Sequence, residues 1–256
     1  MIAAANIGNT NTAVGLWDEG WQWTVRVPTA AIESAEGFLA QLARRSGEAA
    51  PLAGADDAVV ASVVPAKTLA VAQALAARTG KPPKCFQKGG DVPLNLSTYD
   101  GTLLGADRAV CCYSALQLFP PPLLVFDVGT ALSVSAVDAY GRFAGGAILP
   151  GMVIGLQALA SGTALLPMVT PDDEVPLLGK NTAQCLAAGS LYGMCGAIDG
   201  YARRLEQEWA HPITCILTGG DAALVAPHLV CSHYLRPTLL LDGLVALCRL
   251  RTGQPH

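Results

Sequence analysis

The sequence predicts an α/β protein assembled from two copies of one structural unit, and three stretches support that prediction. Ile2 to Trp17 (IAAANIGNTNTAVGLW) is an apolar run, a polar turn and a second apolar run, the pattern of a β-hairpin. Leu123 to Asp138 (LLVFDVGTALSVSAVD) repeats it, with Asp127-Val128-Gly129 falling on Asn6-Ile7-Gly8. A third glycine turn, Thr218-Gly219-Gly220, follows the apolar run Cys215-Ile216-Leu217 and leads into a helix from Ala222. Two related hairpins in one chain predict a duplicated α/β unit, with both turns facing one cleft.

Taken in order, the first hairpin is followed by Trp21 to Val27, whose period-2 alternation predicts a third strand closed by Pro28. Ile32 to Arg45 carries a helical stripe (Ile32, Phe38, Leu39, Leu42) with two arginines near its end. Ala58 to Val64 is a buried-type strand ended by Pro65. A helix from Lys67 to Arg78 stops at Gly80 and Pro82-Pro83. Asp91 to Leu104 is polar loop, leading into Gly105-Ala106-Asp107-Arg108 and a helix through Phe119. Pro120-Pro121-Pro122 then interrupts the chain, predicting domains at 1–119 and 120–256.

In the second half, Gly141 to Ile148 completes a small sheet. Pro150-Gly151 opens a helix to Leu159, and Thr163 to Leu178 is proline-rich loop. The longest helix runs from Thr182 to about Trp209, with Asn181 and Gln184 at capping-box spacing. Gly189, Gly193, Gly196 and Gly200 interrupt it. Each costs about 1 kcal/mol against alanine, so a close-packed face against another helix or a second copy is expected. A strand at Thr214 to Leu217, a helix near Ala222 to Ala226 and a helix from Leu239 to Leu250 end the chain.

Composition narrows the function. Hydrophobic residues make up 52% and charged residues 14% of 256, enough for a sizeable core and little for a disordered tail. A net charge of −4 without Lys/Arg runs argues against nucleic acid as the ligand. No apolar run approaches the ~20 residues of a membrane span. The N-terminus lacks a basic signal region and runs straight into a strand, so a cytoplasmic protein is expected. The eight cysteines form no CxxC pair and mostly sit among apolar neighbours, the pattern of core residues in a reducing compartment.

The first turn suggests the chemistry. Gly8 permits close backbone approach, and Asn9, Thr10, Asn11 and Thr12 offer amides and hydroxyls without positive charge. Such a loop suits an oxyanion, typically phosphate, although an ordinary Asn/Gly hairpin turn has the same composition. Phosphoryl transfer also needs a base near the acceptor hydroxyl. Asp107, at a loop-to-helix junction beside Arg108, is the best candidate, a helix-start acid being the alternative reading.

The two hairpins and the late TGG turn resemble the sugar-kinase, heat-shock-protein-70 and actin superfamily, which implies two duplicated actin-like (ribonuclease H-like) α/β domains with an ATP cleft between them. More specifically, NIGNTNTAVGL, ASVVP, Tyr99 before GADR, FDVGTALSVSAVD, GGAILPG, TALLP, GKNTAQCLAAGSLYG and LTGGDA stand in the order found in type III pantothenate kinase, the family once also named Bvg accessory factor. The resemblance runs from residue 2 to about residue 244. It implies a cytoplasmic homodimer that phosphorylates pantothenate with ATP, using Mg²⁺ and a monovalent cation (K⁺ or NH₄⁺), with no nucleic-acid or membrane partner. Carried over motif by motif, Asn6, Ile7, Gly8, Asn9, Thr10, Asn11, Thr12 and Ala13 with Thr130, Gly219 and Gly220 hold ATP. Asp127 binds the monovalent cation. Tyr99, Gly105, Ala106, Asp107, Arg108 and Thr182 surround pantothenate, with Asp107 as proton acceptor. Two departures stand out. The family has aspartate where this chain has Asn6, and the loop from Tyr99 to Gly105 is shorter and lacks the usual proline. A catalytically weak or inactive paralog with a nucleotide-binding accessory or regulatory role is the alternative that Asn6 leaves open.

Overall fold

A computed structural model describes residues 1–172 and 174–252. The chain separates into two compact units. One comprises Met1–Leu96, Asp100–Gln117 and the stretch from Leu239; the other comprises Ser97–Tyr99 and Leu118–Thr238.

In the first unit, β1 (Ile2–Ile7), β2 (Asn11–Trp17), β3 (Trp21–Pro28), β4 (Asp57–Ser62) and β5 (Lys84–Phe86) form a sheet in the order β3-β2-β1-β4-β5. β1 pairs antiparallel with β2 and parallel with β4. The helices are α1 (Ala35–Ser46), α2 (Pro65–Thr79) and α3 (Ala106–Leu118). Ala3, Ala5 and Ile7 of β1 join Phe38 and Leu42 of α1 and Val71 and Leu75 of α2 in one buried cluster. Phe38 and Leu42 lie four apart, so one stripe of α1 faces the sheet. The helix starts later than its pattern predicts. Thr29–Ala31 forms a 3-10 turn, and Ser34 caps α1 by accepting from the Gly37 N–H at 3.1 Å.

The second unit repeats the plan. β6 (Leu123–Val128), β7 (Ala131–Val137), β8 (Phe143–Pro150), β9 (Thr214–Thr218) and β10 (His233–Leu235) run in the order β10-β9-β6-β7-β8. Again the first two strands are antiparallel and the first and fourth parallel. The duplication expected from the hairpins therefore extends through each five-stranded sheet. Helices α4 (Met152–Gly162), α5 (Thr182–Trp209) and α6 (Ala222–Val225) complete the unit. Phe126, Val128, Leu191, Ile198 and Leu217 form its core.

Several expectations need adjustment. The final helix, α7 (Leu239–Thr252), belongs to the first unit although it follows the second in sequence. Its Gly243 lies so close to α3 that a Cβ would meet Ser114 and Val110 at 2.9 Å, and the Trp21 indole N–H donates to Asp242 at 2.7 Å. Buried Leu239, Leu244 and Leu247 supply the apolar face. Among the described residues, the glycines of α5 do not pack on another helix: none lies within 4 Å of where a Cβ would stand at Gly189, Gly193, Gly196 or Gly200. Cys111, Cys112, Cys195, Cys215 and Cys248 are buried as expected, whereas Cys85 and Cys185 are exposed.

Candidate active site

In the first unit, parallel β1 and β4 end side by side, with Asn6 opposite Ala61 and Ile7 opposite Ser62. The carboxyl ends of parallel strands are where open α/β sheets bind ligands. The turn Gly8-Asn9-Thr10 leaves β1 at this edge. Its Gly8 N–H donates to the Asn11 carbonyl at 3.1 Å, and a Cβ on Gly8 would stand 2.9 Å from that oxygen, so the turn requires glycine. Thr29 then locks the loop from outside. Its hydroxyl donates to the Gly8 carbonyl at 2.7 Å and its N–H to the Thr10 carbonyl at 2.9 Å. That hydroxyl proton being used, Thr12 is the donor in the 3.0 Å contact between the two buried threonine oxygens. Thr12 therefore serves the loop's shape. Sequence reasoning missed Thr29, because only the long-range bonds distinguish it from an ordinary residue after Pro28.

Asn6 Oδ1 is enclosed and has no hydrogen-bond partner among the described residues. A buried acceptor without a donor calls for a ligand, an ion or a water. The orphaned oxygen thus fits the outer shell of a hydrated cation, supplying a neutral acceptor.

Gly105 to Arg108 lies against the same strand ends. The Val63 N–H, just past β4, donates to the Ile7 carbonyl at 3.1 Å. Val63 Cγ1 is 3.7 Å from the place a Gly105 Cβ would occupy, and the Asp107 carboxylate fills that place from the other side. Asp107 Oδ1 accepts from the Arg108 N–H at 2.8 Å. Burial pushes the Asp107 carboxyl above the usual carboxylate range, and the Arg108 N–H and guanidinium only partly offset it. A desolvated carboxylate with a raised affinity for a proton is what a general base requires.

In the second unit three turns converge. Gly129-Thr130 joins β6 to β7, Pro150-Gly151 joins β8 to α4, and Gly219-Gly220-Asp221 joins β9 to α6. The Gly151 N–H donates to the Thr130 carbonyl at 3.1 Å and the Asp221 N–H to the Val128 carbonyl at 2.9 Å. A side chain at Gly151 would collide with the backbone of Gly129 and Thr130. Gly219, at φ +104°, presses its backbone on Val128 and on the Asp127 carboxylate at 2.5 Å from its missing Cβ. Only glycine satisfies both demands. Asp127 offers an anionic oxygen at this junction, a donor type suited to a hard monovalent cation.

Tyr99 and Thr182 also belong to the second unit. The Tyr99 ring meets Phe143 edge-on, centroids 4.8 Å apart, and the Thr98 hydroxyl donates to the Phe143 carbonyl at 3.1 Å. Phe143 starts β8 and Pro150 ends it, so Tyr99 stands roughly 23 Å along the strand from the Thr130 turn. Tyr99 therefore does not share the Thr130 turn. Thr182 is exposed at the first turn of α5, where Asn181 Oδ1 caps the Gln184 N–H at 2.9 Å. The Gln184 side chain reaches back to the Lys180 N–H, one residue beyond the position a capping box uses.

Comparison with known proteins gives the family. The type III pantothenate kinase family model matches residues 2–204. The type III pantothenate kinase of Moorella thermoacetica is 32% identical over 248 residues, covering 95% of this chain and 97% of that one. Among solved structures, a conserved Baf family protein of Campylobacter jejuni superposes with a TM-score of 0.61 at 17% identity, covering 98% of this chain and all of that one. A ROK family glucokinase from Streptomyces griseus, solved with glucose and AMPPNP, gives 0.53 at 13% identity over 97% and 99% of the two chains. These structural matches show a fold shared with both proteins.

Proposed function

Since this chain belongs to the type III pantothenate kinase family, we propose that it transfers the γ-phosphoryl group of ATP to the hydroxyl of pantothenate, giving 4′-phosphopantothenate, the first step of coenzyme A synthesis. The observation that carries the reading is the GADR segment, with half-buried Asp107 set behind Gly105, which lies against Val63 at the carboxyl edge of β1 and β4. The Asp107 carboxylate takes the acceptor proton as the hydroxyl oxygen bonds to the γ-phosphorus, and the bond to the bridging oxygen breaks to release ADP. Arg108 pairs with the pantothenate carboxylate through two parallel N–H donors. Thr182 and Tyr99 complete the acceptor contacts, and Asn6 to Ala13, Thr130, Gly219 and Gly220 hold the nucleotide. Mg²⁺ and a monovalent cation, held near Asn6 and Asp127 respectively, would neutralise phosphate charge. Incubation with ATP, Mg²⁺, K⁺ and pantothenate should give phosphopantothenate by mass spectrometry. Its absence across metal and donor choices would replace this reading with that of a nucleotide-binding protein lacking turnover.

Arg108→Lys tests the acceptor site. Lysine keeps the charge but lacks the planar fork. The KM for pantothenate should rise about tenfold, the equivalent of one lost hydrogen bond of ~1.4 kcal/mol, while that for ATP stays within twofold. Equal losses for both substrates would make Arg108 a structural residue.

The enzyme is proposed to act as a cytoplasmic homodimer. α5, whose glycine face is open, also touches α4, whose Val153, Ile154 and Leu159 are 41%, 41% and 44% exposed. Removing such an apolar surface from water is the main drive for association, and the missing Cβ atoms allow close helix approach. Light scattering at micromolar concentration should give twice the monomer mass, and Gly193→Phe should give the monomer. No helix among the described residues is long and apolar enough to cross a membrane.

A further inference from the structure

The segment that presents Asp107 follows a long irregular stretch, and what fixes it is a contact with a turn sixteen residues upstream in the same unit. Lys88 and Gly105 form an isolated antiparallel bridge, and the Gly89 N–H donates to the Leu104 carbonyl at 2.7 Å. The turn making this bridge is organised by one carboxylate. Asp91 Oδ2 accepts from both the Gln87 N–H at 2.9 Å and the Lys88 N–H at 3.0 Å, while the Asp91 N–H closes the turn on the Lys88 carbonyl at 3.0 Å. Gly89 is buried, and a Cβ there would meet the Leu104 side chain at 2.7 to 2.8 Å. Leu104 is 2% exposed, whereas Leu103 beside it is 93% exposed. The chain is thus held at Leu104-Gly105, while the Leu103 side chain one residue earlier faces solvent. Two residues after the grip comes the carboxylate of Asp107.

We infer that Asp91 and Gly89 are positioning residues for phosphoryl transfer: Asp91 shapes the turn, and the turn holds Leu104-Gly105 so that Asp107 faces the acceptor hydroxyl. The inference rests on the proposed role of Asp107 as proton acceptor. Asp91 itself is exposed, so its two bonds to backbone amides, rather than its burial, are what it contributes. A displacement of the base by about 1 Å can cost up to 10²-fold in rate.

The test compares Asp91→Ala, Asp91→Asn and Gly89→Ala with the parent and with Asp107→Asn. Asp91→Ala should lower kcat about tenfold with KM for ATP within twofold and an unchanged melting temperature. Its acid limb in kcat/KM should move to lower pH, because a loosened loop lets water reach Asp107 and relieves the burial that raises its proton affinity. Asp91→Asn, which keeps an acceptor oxygen, should recover most of kcat. Gly89→Ala, pushing directly on Leu104, should reproduce the kcat loss. Retention of more than half the parent kcat in Asp91→Ala, or parallel losses of kcat, ATP affinity and melting temperature, would overturn the inference. Should Asp107→Asn be inactive while Asp91→Ala is normal, only this inference fails. Should Asp107→Asn keep the parent rate, the proton-acceptor reading fails first.

Discussion

Asp107→Asn should abolish phosphopantothenate formation while leaving ATP binding and the fold intact. A positioned base contributes roughly 10² to 10⁴ in rate, so residual turnover of 1% or less is expected. Asparagine has nearly the same shape, and its Oδ1 can still accept from the Arg108 N–H that Asp107 uses at 2.8 Å. Stability should not fall, and the sign follows from the titration. Burial raises the Asp107 carboxyl above its ordinary value, so the folded state binds its proton more tightly than the unfolded chain does. Its contribution is therefore fully favourable only below the ordinary carboxylate range, and it is lost as pH rises through the raised value. At neutral pH the buried charge opposes folding, and the amide relieves it. The melting temperature at pH 7 should be equal to or above the parent's, the trade of stability for function expected at a catalytic position. Parent activity should decline as pH falls into a range above that of an ordinary carboxylate. A variant with more than half the parent rate would reduce Asp107 to a helix-start acid.

The elements that were legible in the sequence are those whose pattern is local. Both hairpins announced themselves by an apolar run, a glycine turn and a returning run, and the alignment of Asn6-Ile7-Gly8 with Asp127-Val128-Gly129 is reproduced in the sheets. Asn6 and Asp127 are each the penultimate residue of the central strand. The turns differ by one residue, Gly8-Asn9-Thr10 against Gly129-Thr130, so the duplicated loops are not interchangeable. The Asn181 cap and the extent of α5 were equally local. What escaped depends on distant partners. The three-residue strands β5 and β10 are too short to carry a period. The apolar stripe of α7 says that the helix has a buried face but not which sheet it covers. Thr29, Asp91 and Gly89 hold the loops of the site through backbone contacts that no residue pattern encodes.

Asn6 is the position proposed to govern metal use most directly. Its Oδ1 is buried without a partner among the described residues, a situation that normally costs free energy and persists where a ligand completes it. An amide oxygen there serves Mg²⁺-bound water less well than a carboxylate, because Mg²⁺ keeps its waters and favours anionic acceptors. Outer-shell groups of this kind change metal affinity or activity by roughly 10- to 100-fold. Asn6→Asp should therefore lower the Mg²⁺ concentration for half-maximal rate by about tenfold or more. The ATP phosphates carry negative charge themselves, so ATP affinity should change little. A second readout does not depend on turnover. Without nucleotide, Asn6→Asp buries a charge at an atom with no partner among the described residues, so its melting temperature should fall below the parent's. With ATP and Mg²⁺ added it should gain more than the parent does, since binding to the folded state stabilises by mass action. If the variant neither eases the Mg²⁺ requirement nor shows this larger ligand-induced shift, then Asn6 has no part in holding the metal, and the orphaned oxygen serves the nucleotide directly.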